Sequence, residues 1–294
     1  MPDAANRAKP IDPDGGLYQR RALMALPILV RQAWAAQTIY YGDTAAELGM
    51  ANPRNLDFVL GSVGKSIQEL SREWNEKIPP LQAIVINKGT ELPGEGFADF
   101  APEPSEFRKA PVQIRRRILR PLLSSVYSYP RWADVLRHFG AAIPAPPSLD
   151  SLVPSSARLA LGAQGESEMH KEFKDFLAKN PQLFGLTGAV TTYTEYCFPS
   201  SDRADILFVG SREWLVVEAK SRISPDFDIV RGIFQCVKYQ ALLDAVISVE
   251  RRNVHSRVIL AIEADLPAEL RGIVNTLGVT VVEHSRTSQS PGAR

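Results

Sequence analysis

The stretch "VVEAKS", residues 216–221, runs two β-branched residues straight into a glutamate, an alanine and a lysine. Side chains alternate along a strand, so Glu218 and Lys220, two apart, point the same way. Such a strand end is either the lip of a polar site or a charged end running into solvent. The neighbouring sequence bears on the choice. "ADILFVG" (204–210) is a second apolar run, and "SRE" (211–213) turns it into "WLVVEAK" (214–220). Paired as a hairpin, these two strands set Asp205 beside Glu218. Before them lie a helix over about 165–179, ended by "NPQ", and a strand "VTTYTEYCF" (190–198). After them come a long helix in "GIFQCVKYQALLDAVI" (232–247), strand "RVILAIE" (257–263), helix "PAELRGIVNTLG" (267–278) and strand "VTVVE" (279–283). Strands interleaved with helices predict an α/β layered domain built on a mixed sheet.

Asp205, Glu218 and Lys220 on adjoining strands are the residue types that metal-assisted phosphodiester cleavage needs. Hard oxygen ligands hold Mg2+ while leaving positions open for phosphate and water, and a cation orients the water and offsets developing charge. The backbone carbonyl of Ala219 is a further candidate ligand. Gln235 and Tyr239, four apart, share one face of the following helix. With Phe234 and Val237 expected to bury that helix, Gln235 reaches the edge of the site. In the preceding helix the apolar stripe is Met169, Phe173, Phe176 and Leu177. Glu166 falls on that stripe beside His170, whereas Glu168 lies almost opposite and is expected to be solvated. A glutamate on a buried face needs a partner, either a metal or Lys220, or a plain structural ion pair.

This pattern resembles the PD-(D/E)XK nucleases of the restriction-endonuclease-like fold. The matching pieces are the helix with Glu166, the strand opening at Asp205, "EAK" at 218–220 and "QCVKY" at 235–239, over roughly 165–284. The resemblance implies an αβββαβ core with Asp205 and Glu218 binding a divalent metal, Mg2+ with Mn2+ able to substitute. It implies that Lys220 is catalytic and that Glu166 and Gln235 assist. Ala204 stands where the family has a proline that carries no chemistry.

The chain has 294 residues, 45% of them hydrophobic and 23% charged, which suits two globular domains better than one. Net charge is +1, so any affinity for nucleic acid must come from local clustering. Cys197 and Cys236 make neither a metal-ligand spacing nor a disulfide framework, and buried free thiols are expected. His138, His255 and His284 are scattered, without a partner pattern. The longest apolar stretch, "ALMALPILV", is about half a bilayer span, so a soluble cytoplasmic protein without membrane association is expected. "AAIPAPPSLDSLVPSS" carries four prolines and reads as a semi-stiff linker. The domains are then 17–140, a linker at 141–157, and 158–286.

In the first domain a helix is expected around 17–38, bent at Pro27. Asp43 would cap a short helix stopped by Gly49, a second helix follows "NPR", and "LQAIVINKGTELPGEG" would form a strand and glycine-rich turn. Helix, turn, helix and hairpin make a winged-helix pattern; the alternative is a plain helical cap on the other domain. The pieces "YGDTAAELG", "NPR", "VIN" and "LPG", over 38–96, resemble the winged-helix domain of alkylguanine DNA alkyltransferases and their alkyltransferase-like relatives. Two departures limit what that implies. No cysteine stands near Pro80, so there is no alkyl acceptor, and Asp57 takes the place of the arginine that opens the flipped-base gap. A DNA-binding shape survives, with Arg54 close to its second helix. Downstream, residues 105–137 hold eight Lys or Arg against two acidic residues. Val112, Ile114, Ile118, Leu119 and Leu122 give an apolar face that would turn several of Arg115, Arg116, Arg117 and Arg120 outward, either as a solvated surface or as a phosphate-tracking one.

The expectation is thus a metal-dependent DNA endonuclease with a DNA-positioning domain. A possible dimer for double-strand cutting and a role in defence against foreign DNA rest on analogy. The alternative is a regulatory or DNA-binding protein that keeps the nuclease fold without turnover.

Overall fold

The computed structural model describes residues 8–145 and 168–283. Two compact units divide the chain, Met1–Pro146 with Asn275–Gly278, and Pro147–Val274 with Val279–Arg294. Most of the expected linker, Glu166 and His284 lie outside the described residues.

In the first unit, helix α1 (Leu17–Trp34) is continuous through Pro27. Strand β1 (Ile39–Tyr40) leads into α2 (Tyr41–Glu47), whose N-cap is Tyr40. Asp43 therefore lies within the first turn and not at the cap, where its carboxylate still complements the helix dipole. Gly49, at φ +62°, stops that segment in the left-handed conformation a glycine adopts without penalty. A 3-10 turn, Pro53–Asn55, is capped by the Asn52 side chain, which accepts the Arg54 N–H at 3.0 Å. Helix α3 (Leu56–Glu73) buries Leu56, Val59, Val63, Ile67 and Leu70 in one core with Leu26, Leu29 and Val30 of α1.

The expected wing departs from the sequence reading. Strand β2 (Val85–Ile86) pairs in parallel with β1, so the two form a bridge between distant segments and not a hairpin. The chain then closes as a loop in which the Asn87 N–H donates to Leu92 O and the Glu91 N–H donates to Asn87 O, both at 2.8 Å. Helices α4 (Pro104–Lys109), α5 (Val112–Ser128) and α6 (Trp132–His138) follow. Trp132 is fully buried and its indole N–H donates to Val126 O at 2.8 Å.

The second unit is α/β. Helix α7 (Glu168–Ala178) precedes β3 (Thr191–Cys197), β4 (Arg203–Val209) and β5 (Glu213–Lys220). Helix α8 (Asp226–Val249), β6 (His255–Ile262), α9 (Ala268–Leu277) and β7 (Thr280–Glu283) complete it. The sheet order is β3-β4-β5-β6-β7, antiparallel from β3 to β5 and parallel from β5 to β7. The mixed sheet follows from the connections. A three-residue turn closes β4 onto β5, whereas β6 and β7 are each reached through a helix.

One face of the sheet carries Ile206, Phe208, Leu215, Val217, Ala219, Ile259 and Ala261, packed with Phe173 and Leu177 of α7. The alternate residues, Glu218 and Lys220 among them, face α8. Helix α8 buries the stripe Ile229, Ile233, Cys236, Tyr239, Leu243 and Ile247. This corrects the expected orientation, because Phe234 and Val237 are 38% and 40% exposed on the outer side. Cys197, expected to be buried, is exposed on the edge strand, while Cys236 is buried. No helix among the described residues is long and apolar enough to cross a membrane.

Phe208 is fully buried against Phe184, with ring centroids 5.9 Å apart. Phe208→Ala is expected to destabilise the second unit by about 3–5 kcal/mol, as truncation of a buried aromatic does. A urea titration followed by fluorescence and circular dichroism checks this, and a loss below about 1 kcal/mol would contradict the packing described.

Candidate active site

The site is built on the β4–β5 hairpin. Ile206 pairs with Val217, and extending that register by one residue sets Asp205 opposite Glu218. The Asp205 carboxylate then bridges the strands from its side chain, with Oδ2 accepting the Ala219 N–H at 2.8 Å. At Ala219 it is thus the N–H that engages Asp205; the carbonyl was the group singled out from sequence. Lys220 Nζ donates to Glu218 Oε1 at 3.1 Å and to Asp228 Oδ1 at 3.3 Å. Glu218 and Lys220 are 4% and 5% exposed, which is unusual for both residue types.

The roof over this pair is the first half of α8. A Cβ on Gly232 would stand 2.8 Å from Lys220 Cε and 2.9 Å from Leu260 Cδ1, so a larger residue there would have to push one of these side chains aside. Asp228 lies in the first turn of α8, where helix dipole and ammonium both favour its carboxylate. Sequence reading missed Asp228. Its position within three residues of a helix start, just after the "EAK" strand, was the available signal. Further along, Gln235 Nε2 donates to Tyr239 Oη at 3.1 Å, and Tyr239 Oη donates to Arg203 O at 2.6 Å. Gln235 Oε1 is buried with no hydrogen-bond partner among the described residues. Lys174 of α7 is a second buried ammonium that sequence reading missed. It donates to Glu195 Oε1 and lies 3.8 Å from Asp205 Oδ1.

The electrostatics follow from burying carboxylates together. Burial, then the neighbouring Asp205 charge, pushes the Glu218 carboxyl up to about 8, against the opposing pull of Lys220. Burial likewise raises Asp205, although the Ala219 N–H, His170, Lys220 and Lys174 favour its ionised form. Burial works against the Lys220 ammonium, yet Glu218 and Asp228 outweigh it and hold the group above its ordinary value. Acid and base thus shift in the same direction for different reasons, the carboxyls chiefly through burial and the lysine through its carboxylate neighbours. Burial also raises the Cys236 thiol well above its usual range, so it is no nucleophile.

Among the described residues, no three or more His, Cys, Asp or Glu side chains are grouped to hold a metal ion. What is present is Asp205 facing Glu218, with the orphaned Gln235 Oε1 on the helix above. Two carboxylates and an amide oxygen are hard donors that fit Mg2+, which commonly takes one or two carboxylates and fills its shell with water and substrate phosphate.

In the first unit, Arg54, Arg116, Arg117 and Arg120 are exposed. Arg116 donates to Thr90 O at 2.8 Å and pairs with Glu91 at 3.4 Å. Arg115, expected outward, instead folds back to donate to Ala110 O at 2.8 Å and to Arg108 O. On the apolar face of α5, Leu119 is buried but Val112 is 45% exposed. A pocket is lined by Tyr41, Asp57, Gln82, Phe97 and Phe100, and both amide atoms of the buried Gln82 lack partners among the described residues. Compared with known proteins, the chain matches no family model, no curated protein and no solved structure.

A pH dependence follows from Glu218. With its folded value raised to about 8 from an ordinary 4.5, the fold favours the protonated form. That stability is complete below the unfolded value and is lost as pH rises through the folded one. In EDTA, the melting temperature of the wild type is expected to fall between about pH 5 and 8 relative to Glu218→Gln, whose amide does not titrate. Parallel curves for the two proteins would refute the buried placement of this carboxyl.

Proposed function

We propose that the chain is a metal-dependent endonuclease that hydrolyses DNA phosphodiester bonds, with the first unit positioning DNA. The observation that carries the reading is Asp205 held across from Glu218 on one hairpin, with Lys220 bonded to Glu218 beneath α8. The element order of the second unit, helix, three strands, helix, strand, is the one the resemblance to PD-(D/E)XK nucleases leads to expect, and it supports the reading.

When bound, a divalent ion would supply Lewis-acid polarisation of the phosphate and a more acidic water. Asp205 and Glu218 would hold it, their burial making a cation the natural partner. Lys220 is kept protonated by Glu218 and Asp228. It would serve as a positive charge that orients the water and offsets charge on the phosphate oxygens. The buried Gln235 amide, pinned through Tyr239, would fix a water or phosphate oxygen at the rim. Exposed Arg54, Arg116, Arg117 and Arg120 would contact the DNA backbone. A nuclease joined to such a module fits defence against foreign DNA, and cutting both strands with one site per chain fits a homodimer.

A second reading, a nuclease-fold protein that binds DNA without turnover, is favoured by one observation. Lys220 already neutralises Glu218 and Asp228 directly, so the cluster is partly compensated without metal.

The two readings part on cleavage of supercoiled plasmid and linear DNA in Mg2+, Mn2+ or EDTA. The first expects metal-dependent cuts, lost in EDTA and slowed by roughly a hundredfold or more in Lys220→Ala. Cleavage unchanged by that substitution, or none in either metal, would end it. Salt-sensitive binding without nicking would select the second. For the basic surface, replacing Arg117 and Arg120 together by alanine is expected to lower the slope of log affinity against log salt by about 1 per lost phosphate contact. An unchanged slope would remove those residues from the DNA contact.

A further inference from the structure

Lys174 is a buried cation that the proposed chemistry does not use. It sits on the apolar side of α7 between Phe173 and the turn carrying Leu177, and its side chain is 7% exposed. An ammonium in that setting needs partners, and among the described residues two carboxylates on different strands lie close to it. Nζ donates to Glu195 Oε1 on β3 and lies 3.8 Å from Asp205 Oδ1 on β4. The other Asp205 oxygen is engaged by the Ala219 N–H. The oxygen Asp205 would most readily offer to a metal is therefore the one facing Lys174.

Glu195 is itself unusual. Thr194 pairs with Ile206 and Tyr196 with Ala204, yet the rung between them, Glu195 with Asp205, is skipped. Glu195 has φ +53°, the left-handed region that non-glycine residues rarely enter and then usually where surroundings impose it. Its carboxylate reaches Lys174 from a half-exposed position, with Arg203 Nη1 at 3.9 Å.

We propose that Lys174 is a resident counter-cation that competes with a divalent metal for Asp205, and that Glu195, to which its Nζ is already hydrogen-bonded, is the partner that holds the ammonium off Asp205. The inference rests on the metal-site reading above. Without metal, Lys174 joins the Ala219 N–H, His170 and Lys220 in favouring the ionised form of the buried Asp205. A divalent ion on Asp205 Oδ1 would stand within a few ångströms of that ammonium, and like charges at such range in a poorly solvated site disfavour joint occupancy. The bond to Glu195, at the more exposed edge of the sheet, eases that conflict by keeping the ammonium paired away from Asp205.

The test is a Mn2+ titration of the full chain, followed by the electron paramagnetic resonance signal of free Mn2+. It compares wild type, Lys174→Gln, Glu195→Gln, the double variant and Asp205→Asn, each first checked for a cooperative melting transition. Lys174→Gln is expected to bind Mn2+ roughly tenfold tighter or more, the scale on which one nearby charge shifts a neighbouring ionisation equilibrium. Glu195→Gln is expected to bind more weakly, and the effect should shrink in the double variant, where no lysine remains to redirect. Lys174→Met, which keeps the apolar stem, replaces Lys174→Gln if the latter does not fold. Unchanged or weaker binding in the folded Lys174 variant, with Asp205→Asn still abolishing binding, overturns this inference and leaves the metal site standing. Mn2+ affinity indifferent to Asp205→Asn overturns both.

Discussion

The second unit depends on the antiparallel register that sets Ile206 against Val217. Strand side chains alternate with a period of two, so one register decides both faces at once. It sends Ile206, Phe208, Leu215, Val217 and Ala219 into the core beneath α7, and Glu218 and Lys220 toward α8. A slip of one residue would bury the charged pair under α7 and turn the apolar set outward. The core and the candidate site are therefore a single constraint. Asp205 reinforces it, because its carboxylate accepts the Ala219 N–H across the two strands where the paired rungs stop.

The register also concentrates charge. Asp205, Glu218 and Asp228 gather about Lys220, while Lys174 reaches Asp205 from below. Burial of each carboxylate favours its neutral form, and every lysine nearby favours the charged one. A site in this balance is held in place by its neighbours.

The sheet was largely legible because "ILFV", "LVVEA" and "VILAI" are short β-branched runs bounded by turn residues, and alternation within "VVEAKS" put Glu218 and Lys220 on one face. What escaped was set by longer-range contacts. Phe234 and Val237 look like core residues by type, but the buried stripe of α8 passes through Ile229, Ile233, Cys236, Leu243 and Ile247, leaving both outside. Lys174 sits in an apolar stripe where a lysine is read as noise unless its carboxylate partners, 21 and 31 residues on, are already known. The parallel bridge between Ile39–Tyr40 and Val85–Ile86 joins segments with no local signature linking them, so a hairpin was the natural expectation there. Arg115 turned inward because the carbonyls of Arg108 and Ala110, at the end of α4, lay within its reach.

The left-handed backbone at Glu195 has a consequence for solution behaviour. Among the described residues β3 is an outermost strand, and nearly all of its residues are exposed. A flat strand of that kind offers an unbroken row of donors and acceptors to the same strand of another molecule, the usual seed of edge-to-edge polymerisation. One residue at φ +53° in the middle of β3 breaks the row. The geometry that brings a carboxylate to Lys174 thus also interrupts the regular hydrogen-bonding edge of β3, so that the shape of the sheet edge and the electrostatics of the site are tied to the same backbone torsion.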